Sequence, residues 1–222
     1  YLDDAEPYLK ELPIESAAKI VSEMDSDDAV DVLEEMDATT KHKIVGMLDK
    51  EASDDVRLLF SYDDDEIGSR MTTNFIMIHN HLTIRQAMRE LVEQAGENDN
   101  ISTIYVIDEE DKFYGAIDLK DLIIAREYTD LEDIISHSYP YVMDHEKVSD
   151  CIDKIRDYAE DSIPVLQENG TIAGIITSQD IVEAVDDEMG EDYAKLAGLT
   201  AEEDLNEKLT ESVKKRLPWL VI

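Results

Sequence analysis

Apolar positions recur with a period of twelve through the first 60 residues. The units are PIESAAKIVSEM (13–24), DSDDAVDVLEEM (25–36), DATTKHKIVGML (37–48) and DKEASDDVRLLF (49–60). Each closes on a large apolar residue: Met24, Met36, Leu48 or Phe60. Within a unit the apolar residues recur at helical spacing, as Val30, Leu33 and Met36 do at intervals of three, which predicts one amphipathic helix per unit. Asp25, Asp37 and Asp49 open the last three units, where a short acidic side chain serves as an N-cap. Twelve residues hold about three helical turns less a connection. The prediction is a short-helix solenoid in which each helix packs chiefly on its neighbours. The polar stretch SYDDDEIGSR (61–70) reads as a loop that ends this first domain.

A second pattern occupies the middle of the chain. STIYVIDEEDKFYGAIDLKDLIIA (102–125) matches DSIPVLQENGTIAGIITSQDIVEA (161–184) at an offset of 59, pairing Gly115 with Gly174 and Asp121 with Asp180. In each copy a β-branched run meets a polar turn, a second apolar strand and then a helix. A further strand and helix precede each copy, in FIMIHNHLTIRQAMRELVEQA and YVMDHEKVSDCIDKIRDYAE. The unit is therefore strand–helix–strand–strand–helix, twice over. Beyond residue 186 apolar residues thin out, which predicts a long polar connecting helix. The chain ends on RLPWLVI, preceded by the basic run at 214–216. Basic residues followed by Trp and aliphatics resemble the cytosolic approach to a transmembrane helix.

Composition changes this picture in one respect. Fifty-five acids face 20 basic residues across 222 positions, a formal charge of -35, while 43% of residues are apolar. That is too much apolar content for a disordered acidic tail. Phosphate backbones need a basic face, so nucleic acid is excluded as a partner. Cations and basic proteins remain, as does the plain alternative of a solvated surface. Cys151 is the single cysteine, which rules out an intrachain disulfide. DDDEIG (63–68) lacks the oxygen ligands of an EF-hand, with Ile67 at its fifth position and Asn74 at its twelfth. No nucleophile–base pair, phosphate-cradling glycine loop or catalytic metal triad is visible, so no enzyme is expected.

The motifs GAIDLKD and GIITSQD, each after an apolar strand and turn, resemble a tandem pair of cystathionine-β-synthase (CBS) domains over about 71–186. The order of parts, from acidic solenoid through CBS pair and acidic connecting helix to KKRLPW, resembles the cytosolic region of the MgtE family of magnesium channels. The resemblance implies an α+β multidomain fold. An all-α superhelical domain (1–65) is followed by CBS copies at 66–136 and 137–186. A connecting helix (187–213) and the truncated start of a transmembrane segment (214–222) complete the chain. It also implies the cytoplasmic face of the cell membrane, in a multi-pass protein whose transmembrane domain is a partner, and a homodimer formed through the CBS domains.

Clustered carboxylates suit a hard cation such as Mg2+, with Ca2+ or Mn2+ as possible replacements, better than zinc. By resemblance, Asp27 and Asp31 are metal ligands on the solenoid, facing Asp180, Glu183, Asp187, Glu188, Glu191 and Asp192. Lys147, Ser149 and Ala159 stand where the family places further acids. Without the resemblance, any one of these acids reads more readily as a solvated surface carboxylate than as a ligand. CBS pairs also bind adenine nucleotides such as ATP or AMP, for which Asp121, Thr177 and Asp180 are the candidates. Asp118 in copy one, matching Thr177, would repel phosphate. The implied function is a regulatory Mg2+ sensor that favours a closed pore, and the alternative is an adenine-nucleotide-sensing CBS module.

Overall fold

A computed structural model describes Leu9, residues 12–151 and residues 160–180. By contact density the chain divides into two units, Tyr1–Ser178 and Gln179–Ile222. The expected connecting helix and terminal apolar segment lie outside the described residues. Among the described residues, no helix is long and apolar enough to cross a membrane.

The four predicted helices are present as α1 (Ile14–Val21), α2 (Ser26–Glu34), α3 (Ala38–Val45) and α4 (Lys50–Leu59). Asp37 caps α3 by accepting from the Thr39 and Thr40 backbone N–H groups, and Asp49 caps α4 through Ala52. The buried side is Ala17, Ala18 and Val21 on α1, Val30 and Leu33 on α2, Ile44 on α3 and Val56 and Leu59 on α4. The main contacts join alternate helices, α1 with α3 and α2 with α4, rather than consecutive ones. This differs from the expected neighbour-on-neighbour stack. Three- or four-residue connections let the chain turn out of a helix without folding back along it. The unit two periods on then supplies the facing apolar side.

The two CBS copies follow with matching registers. In the first, β1 (Ile76–His79) runs parallel to β2 (Thr103–Ile107), which pairs antiparallel with β3 (Phe113–Asp118). Helix α5 (Ile84–Gln94) begins at a capping box formed by Thr83 and Gln86, and α6 (Leu119–Ile124) follows β3. The second copy repeats the sheet with β4 (Val142–Met143), β5 (Ser162–Leu166) and β6 (Ile172–Thr177). Even the register shift recurs, at Val106/Ile107 and at Val165/Leu166. Each sheet gains an edge from the segment leading into the other copy. Thr72 and Ile175 exchange backbone hydrogen bonds at 2.9 Å each way, and Ala116 and Ser136 do so at 3.1 and 2.8 Å.

Candidate functional site

The candidate site is the seam where the helical domain meets the chain around residues 62–74 and the CBS pair. Its first half is the N-terminus of α2. Ser26, buried, accepts a hydrogen bond from the Thr73 backbone N–H at 2.9 Å, and its hydroxyl lies 3.2 Å from that of Thr73. Asp25 occupies the N-cap position of α2, yet its carboxylate makes no cap bond and instead accepts from the Asn74 amide. The capping role expected of Asp25 is therefore replaced by a bond across the seam.

Asp27 lies one residue inside α2. Burial raises its pKa above the usual carboxylate range, Asp25 adds to the rise, and nearby backbone N–H groups and the Thr72 side chain partly offset it. Its Oδ1 is buried without a hydrogen-bond partner. Asp31, one turn further along α2, is exposed. It shares the wall of a cavity of about 70 Å³ with Glu34, Tyr62, Asp64, Ser69 and Arg70. The expected pair thus lies on one side of α2 with unequal burial.

A third seam acid escaped the sequence reading. Asp55 on α4 has a raised pKa, first through burial and then through Glu51, Asp54 and Asp49, with a Thr73 hydrogen bond lowering it. No sequence signal marked it: Ser-Asp-Asp occurs at 26–28 and again at 53–55, but that match sets Asp55 against Asp28 rather than against Asp27. A carboxylate whose folded pKa is raised stabilises the fold below its unfolded pKa, and that stability is lost as pH rises through the folded value. Asp55→Asn is therefore expected to raise the melting temperature at neutral pH. The gain should vanish below about pH 4, where wild-type Asp55 is protonated too. Thermal scans of both proteins between pH 3.5 and 7.5 check this.

The second half of the seam is residues 62–70, which the sequence presented as a loop. They are instead fastened to the second CBS copy. Ile67 and Gly68 donate backbone hydrogen bonds to the carbonyls of Glu146 and Asp144 at 2.8 and 2.9 Å, and Val148 donates to Asp65 at 2.9 Å. The Tyr62 hydroxyl donates to Asp144 at 3.1 Å, and burial first, then the Asp144 carboxylate, push the phenol pKa up to about 12. A side chain on Gly68 would meet the Tyr62 ring at 2.7 Å, so glycine is needed for that close approach.

Of the other expected ligands, Asp180 is half-buried and belongs to the second unit. Glu183, Asp187, Glu188, Glu191 and Asp192 lie outside the described residues. Among the described residues, no group of three or more carboxylates, imidazoles or thiols is placed to hold a metal ion. Of the nucleotide candidates, Thr177 ends β6 half-buried and Asp121 is exposed in the first turn of α6. Asp118 caps α6 by accepting from the Lys120 N–H.

Comparison with known proteins fits this layout. The MgtE intracellular N domain matches residues 2–65, and the CBS domain matches 65–128 and 131–187. A crystal structure of the soluble part of a magnesium transporter has 34% identity and a TM-score of 0.78, covering 84% of this chain and 73% of that one. The chain belongs to the MgtE family. Within the family, the magnesium transporter MgtE of Enterococcus faecalis is 36% identical over 77% of this chain and 38% of its own length. That of Bacillus subtilis is 31% identical over 93% of this chain and 46% of its own. The chain thus spans less than half the length of these MgtE relatives. A second structure, the cytosolic domain of the Mg2+ channel MgtE in complex with ATP, has 27% identity and a TM-score of 0.74 over 82% of this chain and 75% of that one.

Proposed function

We propose that this chain is the cytosolic Mg2+-sensing region of a magnesium transporter or channel, in which Mg2+ favours a docked state that closes the pore. The carrying observation is the acid-loaded seam. Asp25, Asp27 and Asp55 meet Thr72, Thr73 and Asn74, and Asp27 Oδ1 is buried with no partner. Desolvating a carboxylate is costly unless a counter-charge arrives. The donors are all oxygen, which suits Mg2+ and equally Ca2+ or Mn2+.

In this reading Asp27 and Asp31 are the ligands of the helical domain, and Asp180, Glu183, Asp187, Glu188, Glu191 and Asp192 those of the second copy and connecting helix. When bound, Mg2+ supplies the positive charge that lets these surfaces approach. Without it, the carboxylates of α2 and α4 repel the other acids and favour separation. The proposed boundaries are 1–65, 66–136, 137–186, 187–213 and 214–222. The region would sit on the cytoplasmic face of the cell membrane and act on its own transmembrane domain. Val92, Ile123 and Ile124, exposed on α5 and α6, support a homodimer through the CBS domains.

Solution scattering tests the reading. Millimolar Mg2+ is expected to reduce the radius of gyration of the wild-type chain, and Asp27→Asn/Asp31→Asn is expected to remove that response. An unchanged wild-type radius refutes the sensor. The second reading is adenine-nucleotide sensing through Asp121, Thr177 and Asp180, favoured by the ATP complex of the related structure. Calorimetric titration with ATP and AMP, with Asp121→Ala and Asp180→Ala as controls, decides it.

A further inference from the structure

The chain has 20 basic residues for 55 acids, so the places where bases meet acids across a domain boundary are informative. One such place is the contact between 62–70 and the turn after β4. Asp63, Asp65, Glu66, Asp144 and Asp150 all bear on it. Two basic side chains of the second copy meet them. His145 Nδ1 lies 2.9 Å from Glu66 Oε1, and Lys147 Nζ is paired with Asp65. Under them run the three backbone hydrogen bonds of Ile67, Gly68 and Val148, and the Tyr62 ring lies 5.2 Å from that of His145.

We propose that this clasp is a metal-independent hinge, in which Lys147 and His145 supply the positive charge that Asp65 and Glu66 would otherwise need from a divalent cation. The helical domain then stays fastened here when Mg2+ is absent, and any opening occurs at the Asp27–Thr72 edge. Lys147, Asp65 and His145 are exposed and Glu66 is half-buried, so screening by solvent leaves each ion pair a small contribution by itself. Backbone bonds and the Tyr62–Gly68 packing hold the clasp, and the two bases remove the repulsion that would open it. The hinge requires no Mg2+ site elsewhere, so it stands or fails independently of the sensor reading.

Amide hydrogen exchange on the 222-residue chain in EDTA is the test. The N–H groups of Ile67, Gly68 and Val148 are expected to be protected without Mg2+. Lys147→Glu, which sets a third carboxylate beside Asp65 and Asp63, is expected to speed their exchange roughly five-fold, with Mg2+ restoring protection. Lys147→Gln is expected to speed it about two-fold with no Mg2+ rescue. Protection of the β2 amides reports that each variant is folded. Wild-type amides that become protected only when Mg2+ is added overturn the proposal. So does Lys147→Glu or, should that variant not fold, Lys147→Gln exchanging like wild type.

Discussion

Gly174→Ala is expected to destabilise the CBS pair by about 3 kcal/mol and lower the melting temperature by roughly 6–12 °C. A Cβ at this position would stand 2.7 Å from the Thr72 carbonyl oxygen and 2.8 Å from the Met71 side chain. Neither can withdraw freely. Met71 is fully buried, and Thr72 is held by its reciprocal bonds to Ile175. The displaced segment is also the one that receives the helical domain, through Thr73 and Ser26 and through Asn74 and Asp25. The substitution should therefore weaken docking as well as stability. Gly115→Ala separates the two effects. Its Cβ would meet the Ser136 carbonyl and Ile135 at 2.7 Å, on the segment entering the second copy. It is expected to cost a similar amount while leaving the Ser26–Thr73 contact intact. Denaturant melts, together with exchange at the Thr73 amide, distinguish the two variants.

These glycines mark what the sequence could reveal. The offset of 59 paired them correctly because strand pairing imposes the same backbone approach in both copies. The helices were legible for a similar reason, since periodic burial leaves a periodic pattern. What stayed hidden was non-local. Alternate-helix packing depends on how short connections turn, and a twelve-residue repeat is compatible with either arrangement. Residues 61–70 carry loop composition, but their backbone groups are bonded to a segment about 80 residues away. Composition does not report a partner at that distance. Asp27 was singled out by resemblance, and the structure adds its buried, unpaired oxygen. Asp55 was missed because its role comes from where α4 brings it, against Thr73. Residues 181–192 hold five of the eight proposed metal ligands and lie outside the described residues.

Tyr105→Ala is expected to have the largest effect of any single truncation between the copies, about 3–5 kcal/mol. Tyr105 is fully buried, and burial pushes its phenol far above the ordinary range. Its ring meets Phe75 edge-on at 5.7 Å and Tyr139 at 6.1 Å, and its hydroxyl is 2.6 Å from Ser162 Oγ. Phe75 follows the segment that enters the first copy, Tyr139 follows the one that enters the second, and Ser162 opens β5. One side chain therefore links both exchanged edges and the second sheet. Tyr105→Phe keeps the ring contacts and loses only the hydroxyl, so its expected cost is about 1 kcal/mol. The difference between the two variants in a denaturant melt separates packing from hydrogen bonding. Because Tyr105 and Gly174 act on connected segments, their effects should not add. Once Tyr105→Ala has loosened the interface, the Cβ of Gly174→Ala has room to be accommodated. The double variant is expected to be more stable than the sum of the singles predicts, by about 1 kcal/mol. Strict additivity would mean that the two exchanged edges are held independently, and that a disturbance at the helical-domain seam stays within the segment around Thr72.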